Sequence, residues 1–388
     1  MHKAIVVIPT YNERENISRT IHALFDVFKG ITTWKMEILV VDDTSPDKTY
    51  DVVKQEIKSD KRVHLLLNHT KIGLGGAYLK GMAEAFNNLG ADVIFQFDGD
   101  LQHDPKIIPQ MLQKLDDGYD MVLGSRYIKG GGIPQNWGLH RKFLSIVGNL
   151  TIAAVFTNFS IRDWTAGYRA IKKHVYQEIH PLLHSERFFG YTFQIGFLYN
   201  TIKRGYKVAE VAYRFVDRKS GVSKLGPEYL KNTLLFIFKV RAQEIINHRI
   251  FKFVTVGGMG ALVQLSSLTV LARLLPFQLA FFCAIELAVL SNFLINNVWT
   301  FADKKITTSA LPGKFLQFNL ASGGSIAIQQ VVAIIGELAF GIVPLFMLPV
   351  VRIWISTGTL MAVVGILIGM FWNFFAYNRF VWKQASTT

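Results

Sequence analysis

Two carboxylates, Asp98 and Asp100, stand one residue apart directly after the apolar run 93–97. A short, β-rich run that ends in Asp and Gly is typical of a buried strand in a covered parallel sheet. Open α/β sheets bind their ligands at the carboxyl ends of such strands. If the strand stays extended to residue 100, both carboxylates point to the same side, because side chains alternate along a strand. Such a pair suits Mg²⁺ or Mn²⁺, although an acidic turn that caps the following helix has the same sequence.

The elements around this run place other polar residues at the same edge of the predicted sheet. Three further β-rich runs cover residues 4–8, 36–41 and 63–67, and helical patterns follow them. Alternating strands and helices predict a Rossmann-like, mainly parallel α/β sheet. The second run ends in Asp42-Asp43. We therefore expect one polar crevice along the carboxyl ends of the strands.

The composition divides the chain of 388 residues into two parts. Residues 1–226 have the pattern of an α/β domain, and we expect it to stay in the cytosol because Met1-His2-Lys3 leads directly into a strand and does not resemble a signal peptide. Beyond residue 251 the chain contains four long apolar stretches. With a formal net charge of +14, this pattern indicates an anionic membrane surface or lipid substrate, and no nucleic acid partner. The single cysteine, Cys283, excludes disulfide bonds and thiolate metal sites.

Four segments are each long and apolar enough to cross a bilayer, which takes about 20 residues. They cover residues 251–275, 277–298, 315–340 and 353–377 of a transmembrane domain at 251–388. The segment 227–250 mixes apolar and basic residues and is predicted to form amphipathic interfacial helices. An even number of spans, with most flanking Lys and Arg on one side, predicts a multi-pass protein of the cell membrane. Its first domain and both termini are expected to be cytoplasmic, although Arg273 and Arg352 fall on the opposite side.

The apolar half contains an internal repeat. Residues 253–264 recur as 318–329, and residues 292–301 recur as 373–382. Two duplicated hairpins predict a four-helix bundle whose small residues allow close contact between helices. Glu286 and Glu337 lie within the apolar stretches. Both a functional role and a structural, hydrogen-bonded role are open interpretations for these carboxyl groups. We assign neither of them to a site.

The first domain carries three motifs in a fixed order. They are Ile8-Pro9-Thr10-Tyr11-Asn12-Glu13, Val41-Asp42-Asp43-Thr44-Ser45-Pro46-Asp47 and Asp98-Gly99-Asp100-Leu101-Gln102-His103. In this order they resemble the inverting family-2 glycosyltransferases of the GT-A fold, and more narrowly the dolichol-phosphate mannose synthases. The apolar half resembles a small four-helix membrane family that is associated with polyprenyl-phosphate sugar transfer.

The resemblance implies a nucleotide-sugar donor site in the crevice. The residues that correspond to the family's base and ribose site are Pro9, Tyr11, Glu13, Val41, Asp42 and Asp43. The family's Asp-x-Asp motif and the Gln after it hold Mg²⁺ or Mn²⁺ and the diphosphate. This implies Asp98, Asp100 and Gln102 as metal ligands, with Gly99 between the carboxylates. Departures from the family pattern at positions 44, 48, 99 and 104 remove no ligand but leave the base specificity open.

The acceptor side is indicated by a missing carboxylate and by a basic loop. Between Arg187 and Gln194, where many family-2 enzymes carry a general base, the chain has no carboxylate. A sugar hydroxyl needs such a base, whereas a phosphate monoester is already ionised, so the pattern favours a phosphate acceptor. The loop 215–226 resembles the corresponding loop of the mannose synthases; it contains Val216, Arg218 and Lys224. Together with Arg126, these cations are implied as acceptor ligands, and attraction to lipid headgroups is the alternative.

The turn 163–169 resembles a family turn that lies beneath the donor. Its Asp163 and Arg169 leave two interpretations open, namely a partly buried structural ion pair and a contact with substrate.

Taken together, the resemblance implies transfer of mannose from GDP-mannose to dolichyl (polyprenyl) phosphate with inversion, for protein glycosylation. The residues implied for catalysis are Asp100, Arg126, Arg218 and Lys224. A polyprenyl-phosphate glucosyltransferase that uses UDP-glucose shares nearly every motif and stays open, as does a lipid-linked sugar flippase with a docking domain. A processive polysaccharide synthase would carry a base carboxylate and a Q-x-x-R-W element, and the sequence has neither.

Overall fold

The computed structural model describes residues 1–183, 191–216, 228–348 and 353–383. The chain divides into two compact units, Met1–Arg241 and Ala242–Thr388. The boundary falls inside the segment 227–250, whose described part is one continuous helix up to Asn247.

Within the described residues, the first unit forms a seven-stranded sheet covered by helices. Its strands are β1 (His2–Thr10), β2 (Trp34–Asp42), β3 (Val63–Leu67), β4 (Val93–Gln96), β5 (Met121–Ser125), β6 (Arg169–Lys172) and β7 (Val208–Ala212). The helices are α1 (Ile17–Phe28), α2 (Thr49–Ser59), α3 (Gly73–Asn87), α4 (Ile108–Asp116), α5 (Leu139–Val155), α6 (Lys173–Leu183), α7 (Tyr191–Lys203) and α8 (Glu228–Asn247).

The strand order is β3-β2-β1-β4-β6-β5-β7, and β6 runs antiparallel to both of its neighbours. The other strand pairs are parallel, which confirms the mainly parallel α/β sheet that the sequence predicts. The chain builds β2 and β3 on one side of β1 and then returns to place β4 on the other side. The strand order therefore reverses between β1 and β4, and ligands of open α/β sheets bind in the crevice outside the carboxyl ends at such a point.

The strands are buried on both faces, which explains their continuous apolar sequences. Ile5 and Val7 of β1 belong to the core that the sheet shares with α3, α6 and α7. Val6 and Ile8 belong to the core on the other face, with α1, α2 and α4. Alternate residues of one strand thus enter opposite cores, as the pleat requires. Because both faces are covered, the sheet presents its polar groups at the strand ends.

The second unit is helical, with α9 (Arg249–Leu271), α10 (Phe277–Ile295), α11 (Leu311–Phe340) and α12 (Thr357–Ala376). Four helical segments in the described residues are long and apolar enough to cross a membrane, which confirms the predicted domain of four membrane-spanning helices. The last of them starts after residue 353, because β8 (Pro344–Leu348) and β9 (Ile353–Ser356) pair as an antiparallel hairpin before α12.

The internal repeat is visible at the ends of two helices. α10 and α12 each continue into a five-residue π-helical turn, Asn296–Thr300 and Tyr377–Val381, at equivalent positions of the repeat. Small residues allow close contact within each hairpin. A Cβ on Gly260 would lie 2.3 Å from the side chain of Asn292, and one on Gly324 would lie 2.5 Å from that of Trp372. The bundle therefore consists of two closely packed hairpins.

Two helix glycines test how closely the helices of the first unit pack. A Cβ on Gly81 of α3 would lie 2.5 Å from Val7 and 2.8 Å from Val41, whereas one on Gly148 of α5 meets nothing within 4 Å. We expect Gly81→Ala to lower the stability by about 1–3 kcal/mol through overpacking. Gly148→Ala should raise it by roughly 1 kcal/mol, because Ala is the better helix former. Thermal unfolding of the detergent-solubilised protein measures both changes, and shifts of the same sign would contradict this account.

Candidate active site

The two carboxylates of the sequence motif lie in a tight turn. β4 ends at Gln96, and the N–H of Asp98 donates to a side chain, the Nδ1 of His103, instead of continuing the sheet. Leu101 then adopts a left-handed backbone, with φ of 61°. The Thr20 hydroxyl of α1 donates to the carbonyl of Gly99 at 2.9 Å and holds the turn. The strand does not stay extended to residue 100, so strand alternation does not set the directions of the two carboxylates.

Asp98 is oriented by two buried side chains. The hydroxyl of Tyr78 in α3 donates to Asp98 Oδ1 at 3.0 Å. Because His103 Nδ1 accepts the Asp98 N–H at 3.0 Å, the ring proton lies on Nε2, which stands 3.6 Å from Asp98 Oδ2. The His103 ring stacks on Tyr168, with centroids 4.8 Å apart. The Asp98 side chain is thus held in place with a third of its surface exposed.

Burial and nearby charges set the protonation of the two groups that contact Asp98. Burial raises the pKa of the Tyr78 phenol well above its ordinary value, and the negative charges of Asp98 and Asp100 raise it further. Burial lowers the pKa of His103 to about 4; Asp100 opposes this change and Arg126 adds to it. Both groups are therefore neutral at neutral pH, and they orient Asp98 by hydrogen bonding.

Asp100 and Gln102 lie in the same turn. The N–H of Gln102 donates to Asp100 Oδ1 at 3.1 Å, and Gln102 is buried. In the described part of the chain, no three His, Cys, Asp or Glu side chains form a metal-binding group. Two carboxylates and an amide nevertheless fit Mg²⁺, which commonly takes one or two carboxylates and completes its shell with water and substrate phosphates. The donor set fits a cation that is shared with a phosphate ligand.

The loops after β1 and β2 form one wall of the crevice. Three consecutive N–H groups of the first loop donate at 3.0 Å to side chains of the second; the pairs are Asn12–Ser45, Glu13–Thr49 and Arg14–Asp47. Tyr11 precedes them, and the Lys71 ammonium lies 3.8 Å from the centre of its ring. This cation–π contact places an aromatic face and a positive charge side by side.

Asp42 and Asp43 are both buried at the end of β2. Asp42 accepts from the Thr10 hydroxyl at 2.8 Å and from the N–H and hydroxyl of Ser45 at 2.8 Å and 2.7 Å. Asp43 accepts from the Asn68 amide at 2.8 Å and from two backbone N–H groups at the start of α3. A carboxylate is favoured at a helix N-terminus. The two side chains thus fasten the end of β2 to β1 on one side and to α3 on the other.

Left-handed backbone conformations concentrate at this edge of the sheet. Five described non-glycine residues have φ between 50° and 61°, and one of them, Thr157, follows α5 away from this edge. The other four are Asn12, Thr44, Lys48 and Leu101. They follow β1, β2 and β4, the strands around the reversal point. Such conformations cost of order 1 kcal/mol each and persist only where the surroundings hold them. Their clustering indicates that the strand ends are shaped for binding.

Arg126 follows β5 and forms a buried ion pair with Asp163. Its Nε and Nη2 donate to the two carboxylate oxygens at 2.8 Å and 2.7 Å, and its backbone N–H donates to the same carboxylate. The Arg126 side chain is 9% exposed and that of Asp163 is 0% exposed. Burial lowers the pKa of Arg126, but the charge and hydrogen bonds of Asp163 outweigh it and leave that pKa above its ordinary value. The guanidinium therefore stays charged.

Arg169 has a structural role that differs from the predicted ion pair. It is fully buried and donates to the backbone carbonyls of Ala166 at 2.7 Å and Gln194 at 2.6 Å. Burial lowers its pKa to about 9. These contacts favour a structural role for Arg169 over a contact with substrate. Its partners are backbone carbonyls, however, and not the Asp163 carboxylate.

α5 contacts this ion pair through one face and exposes an apolar face. Asn149 accepts from the Trp164 N–H at 2.7 Å and donates to Thr165, whose hydroxyl also binds Arg126. Exposed apolar residues recur at helical spacing along the same helix; they are Leu139, Phe143, Ile146, Val147 and Leu150. An exposed apolar stripe of this kind marks a surface for a membrane or a partner.

The described residues contain most of the predicted site. Pro9 lies within β1 and Val41 within β2, while Val216 follows β7 and is half exposed. A Cβ on Gly99 would make ordinary contacts, at 3.4 Å from Ile8 and 3.5 Å from Thr10. Arg218 and Lys224 lie outside the described residues.

Sequence reasoning missed Lys71, Tyr78, His103 and Asn149. His103 had a signal, since it ends the same motif as Asp98. Tyr78 and Asn149 come from α3 and α5, so their contacts depend on how those helices pack against the sheet.

Two family models match the chain. Residues 5–180 match the model described as Glycosyl transferase family 2. Residues 252–382 match the model described as GtrA/DPMS, transmembrane domain.

Three characterised proteins are similar to the chain. It is 34% identical to a dolichol-phosphate mannosyltransferase of Pyrococcus furiosus, over 82% of this chain and 86% of that protein. It is 37% identical to a polyprenol monophosphomannose synthase of Mycolicibacterium smegmatis, over 61% of this chain and 85% of that protein. It is 35% identical to an undecaprenyl-phosphate mannosyltransferase of Micrococcus luteus, over 58% of this chain and 88% of that protein.

The buried ion pair gives a stability prediction. Asp163→Leu should lower the stability by about 3–5 kcal/mol, because it leaves the buried Arg126 charge without its partner. The double variant with Arg126→Met should recover most of that loss, since it removes both charges. Asp60→Leu, at the more exposed pair with Arg62, should cost less than about 1 kcal/mol and serves as the control. Denaturant unfolding measures all three, and a double variant that is no more stable than Asp163→Leu would contradict the pairing.

Proposed function

The chain belongs to glycosyl transferase family 2, and on this premise we propose that it transfers mannose from GDP-mannose to dolichyl (polyprenyl) phosphate. The products would be dolichyl β-D-mannosyl phosphate and GDP. The names of the three relatives support this proposal, because all three refer to mannose and a polyprenyl lipid. The observation that carries it is the polar edge of the sheet, where Asp98 and Asp100 follow β4 and the buried Arg126 follows β5.

The donor nucleotide would bind at the wall formed by the loops after β1 and β2. The residues proposed to form the base and ribose site are Pro9, Tyr11, Glu13, Val41, Asp42 and Asp43. Tyr11 offers an aromatic face beside the Lys71 ammonium, which suits a base and a nearby phosphate. The two carboxylates would act mainly by shaping the pocket, since Asp42 is 0% exposed and both accept several protein hydrogen bonds.

Asp98, Asp100 and Gln102 would hold Mg²⁺ or Mn²⁺ beside the donor diphosphate. When bound there, such a cation neutralises charge on the leaving diphosphate as a Lewis acid. The Tyr78 hydroxyl donates to the Asp98 carboxylate, and the His103 ring accepts the Asp98 backbone N–H. Because both groups are neutral, they position Asp98 without adding a positive charge that would compete with the cation.

Arg126, Arg218 and Lys224 would bind the acceptor phosphate by charge-assisted hydrogen bonds. A phosphate oxygen attacks the anomeric carbon as the bond from that carbon to the diphosphate breaks, and attack from the opposite face inverts the configuration. The phosphate monoester is already ionised, so the step needs no general base. Asp163 and Thr165 hold the Arg126 guanidinium in place beforehand. The catalytic contribution would come from positioning and electrostatics.

The acceptor is a lipid, and two helices of the first unit have surfaces suited to a bilayer. α5 exposes its apolar stripe, and α8 exposes Leu235 and Phe238 beside Lys231 and Lys239. Apolar residues with flanking lysines are typical of helices that lie in the membrane interface. We propose that both helices contact the cytoplasmic leaflet of the cell membrane, with both termini on the cytoplasmic side.

One assay tests the proposed reaction. The purified full-length protein should form labelled mannosyl lipid and release GDP from GDP-mannose, a short polyprenyl phosphate and Mn²⁺. EDTA should stop the reaction, because the leaving diphosphate loses its counter-charge. Consumption of UDP-glucose in place of GDP-mannose would identify the glucosyltransferase instead. A protein that releases no nucleotide from either donor would be a carrier.

Asp100 gives the corresponding mutational prediction. Asp100→Ala should abolish transfer under the same conditions, because one of the two proposed carboxylate ligands is lost. Asp51→Ala, which removes a half-exposed carboxylate of α2, is the charge-matched control and should keep normal activity. Near-normal turnover by the Asp100 variant would refute the metal assignment.

A further inference from the structure

The second unit gathers cations at one end of its helices. The described residues in question are Arg249, Lys252, Lys304, Lys305, Lys314, Arg379 and Lys383. Arg249 begins α9, Lys304 follows the π-helical turn of α10, and Asn378 lies in that of α12. These residues lie at ends of helices that are long and apolar enough to cross a membrane, and such helices leave the hydrocarbon core near the lipid phosphates.

Two of these cations converge on one neutral oxygen. Arg249 Nη1 donates to Asn378 Oδ1 at 3.4 Å, and Lys304 Nζ donates to the same oxygen at 3.1 Å. Arg249 also pairs with Asp303 at 2.6 Å through Nη2. Two positive side chains therefore meet at one uncharged amide oxygen, and one carboxylate pairs with Arg249. This arrangement carries an excess positive charge that an anion would balance.

The internal repeat shows that this use of an asparagine is not required by the fold. Asn297 occupies the equivalent position of the first hairpin. Its Oδ1 accepts from neutral donors, the Ile306 N–H at 2.8 Å and the Trp382 indole at 3.1 Å. In the first copy the side-chain oxygen of the asparagine thus accepts hydrogen bonds from uncharged donors only. In the second copy the equivalent oxygen accepts from Arg249 and Lys304. At this amide the two copies therefore differ in the charge of their hydrogen-bond donors, and the difference points to binding.

Arg249 packs against a pair of buried aromatic side chains. The Arg249 guanidinium lies 5.5 Å from the centre of the Phe301 ring. Phe301 stacks on Trp382 with centroids 4.4 Å apart, and both side chains are almost fully buried. A cation–π contact of this kind restricts the guanidinium, whose planar fork matches the oxygens of a phosphate.

We propose that Arg249, Lys304 and Asn378 form a binding site for the phosphate group of a membrane lipid. The guanidinium and the ammonium would bind the phosphate oxygens, and the Asn378 amide N–H would supply a further donor. The phosphate belongs to a bilayer lipid, because the site stands at the ends of the membrane helices. This site is independent of the transfer reaction proposed for the first unit, so failure of one proposal leaves the other intact.

Native mass spectrometry of the full-length protein in detergent tests the site. The probes are phosphatidylglycerol, a short polyprenyl phosphate and phosphatidylcholine, titrated separately. We expect the wild type to retain one of the first two in preference to phosphatidylcholine, which identifies the source of the phosphate. Lys304→Gln should weaken retention about tenfold, as expected for the loss of one charge-assisted hydrogen bond. Lys305→Gln removes the same charge from an exposed neighbour and should leave retention unchanged.

Asn378→Asp provides a second, opposite test. The new carboxylate would pair with Arg249 and Lys304 and occupy the place of the phosphate. Lipid retention should fall as in Lys304→Gln, while the unfolding temperature without added lipid should not decrease. Equal losses in Lys304→Gln and Lys305→Gln would overturn the proposal, since they would indicate general attraction to the basic end. Competition by inorganic phosphate at equal concentration would likewise overturn it, because the ligand would then be the soluble ion.

Discussion

The proposed acceptor side of the first unit depends on the buried pair of Arg126 and Asp163. Asp163 binds the side chain and the backbone of Arg126, and its own N–H donates to Glu210 on β7. Thr165, two residues on, joins the guanidinium to Asn149 of α5. The turn that carries Asp163, Trp164 and Thr165 thereby joins β5, β7 and α5 around a single positive charge. A buried charge is tolerated only where such partners surround it.

The proposed donor and acceptor sides carry opposite charges, and both charges act on the pKa of His103. The Asp100 carboxylate raises its pKa and the Arg126 guanidinium lowers it, while burial keeps the ring neutral. An acidic side suits a cation and a departing diphosphate, whereas a basic side suits an incoming phosphate. Because the His103 ring is neutral, it can hold Asp98 in place without adding charge to either the acidic or the basic side of the site. The proposed mechanism depends on side chains that hold a fixed position and charge, and less on side chains that exchange protons.

Much of this architecture follows from local sequence patterns. Continuous apolar runs such as Ala4 to Ile8 predict the buried parallel strands, and the motif at Asp98 predicts their functional end. The long apolar helices are equally predictable from the sequence, because a helix must have a minimum length to cross a bilayer. The turn at Leu101 was not predictable from strand alternation, since its left-handed backbone is held by Thr20 of a distant helix. Partners such as Tyr78 for Asp98, and Arg126 rather than Arg169 for Asp163, depend on packing between elements far apart in the chain.

The apolar stripe of α5 has a consequence for how the catalytic unit meets its lipid. The helix that bears Leu139, Phe143 and Leu150 on its exposed face also carries Asn149, which contacts the residues around Arg126. If that stripe rests on the bilayer, the unit searches for its acceptor in two dimensions, by lateral diffusion along the leaflet. Its rate then follows the mole fraction of acceptor in the membrane surface rather than the bulk concentration, so dilution with inert lipid slows it as effectively as removal of substrate.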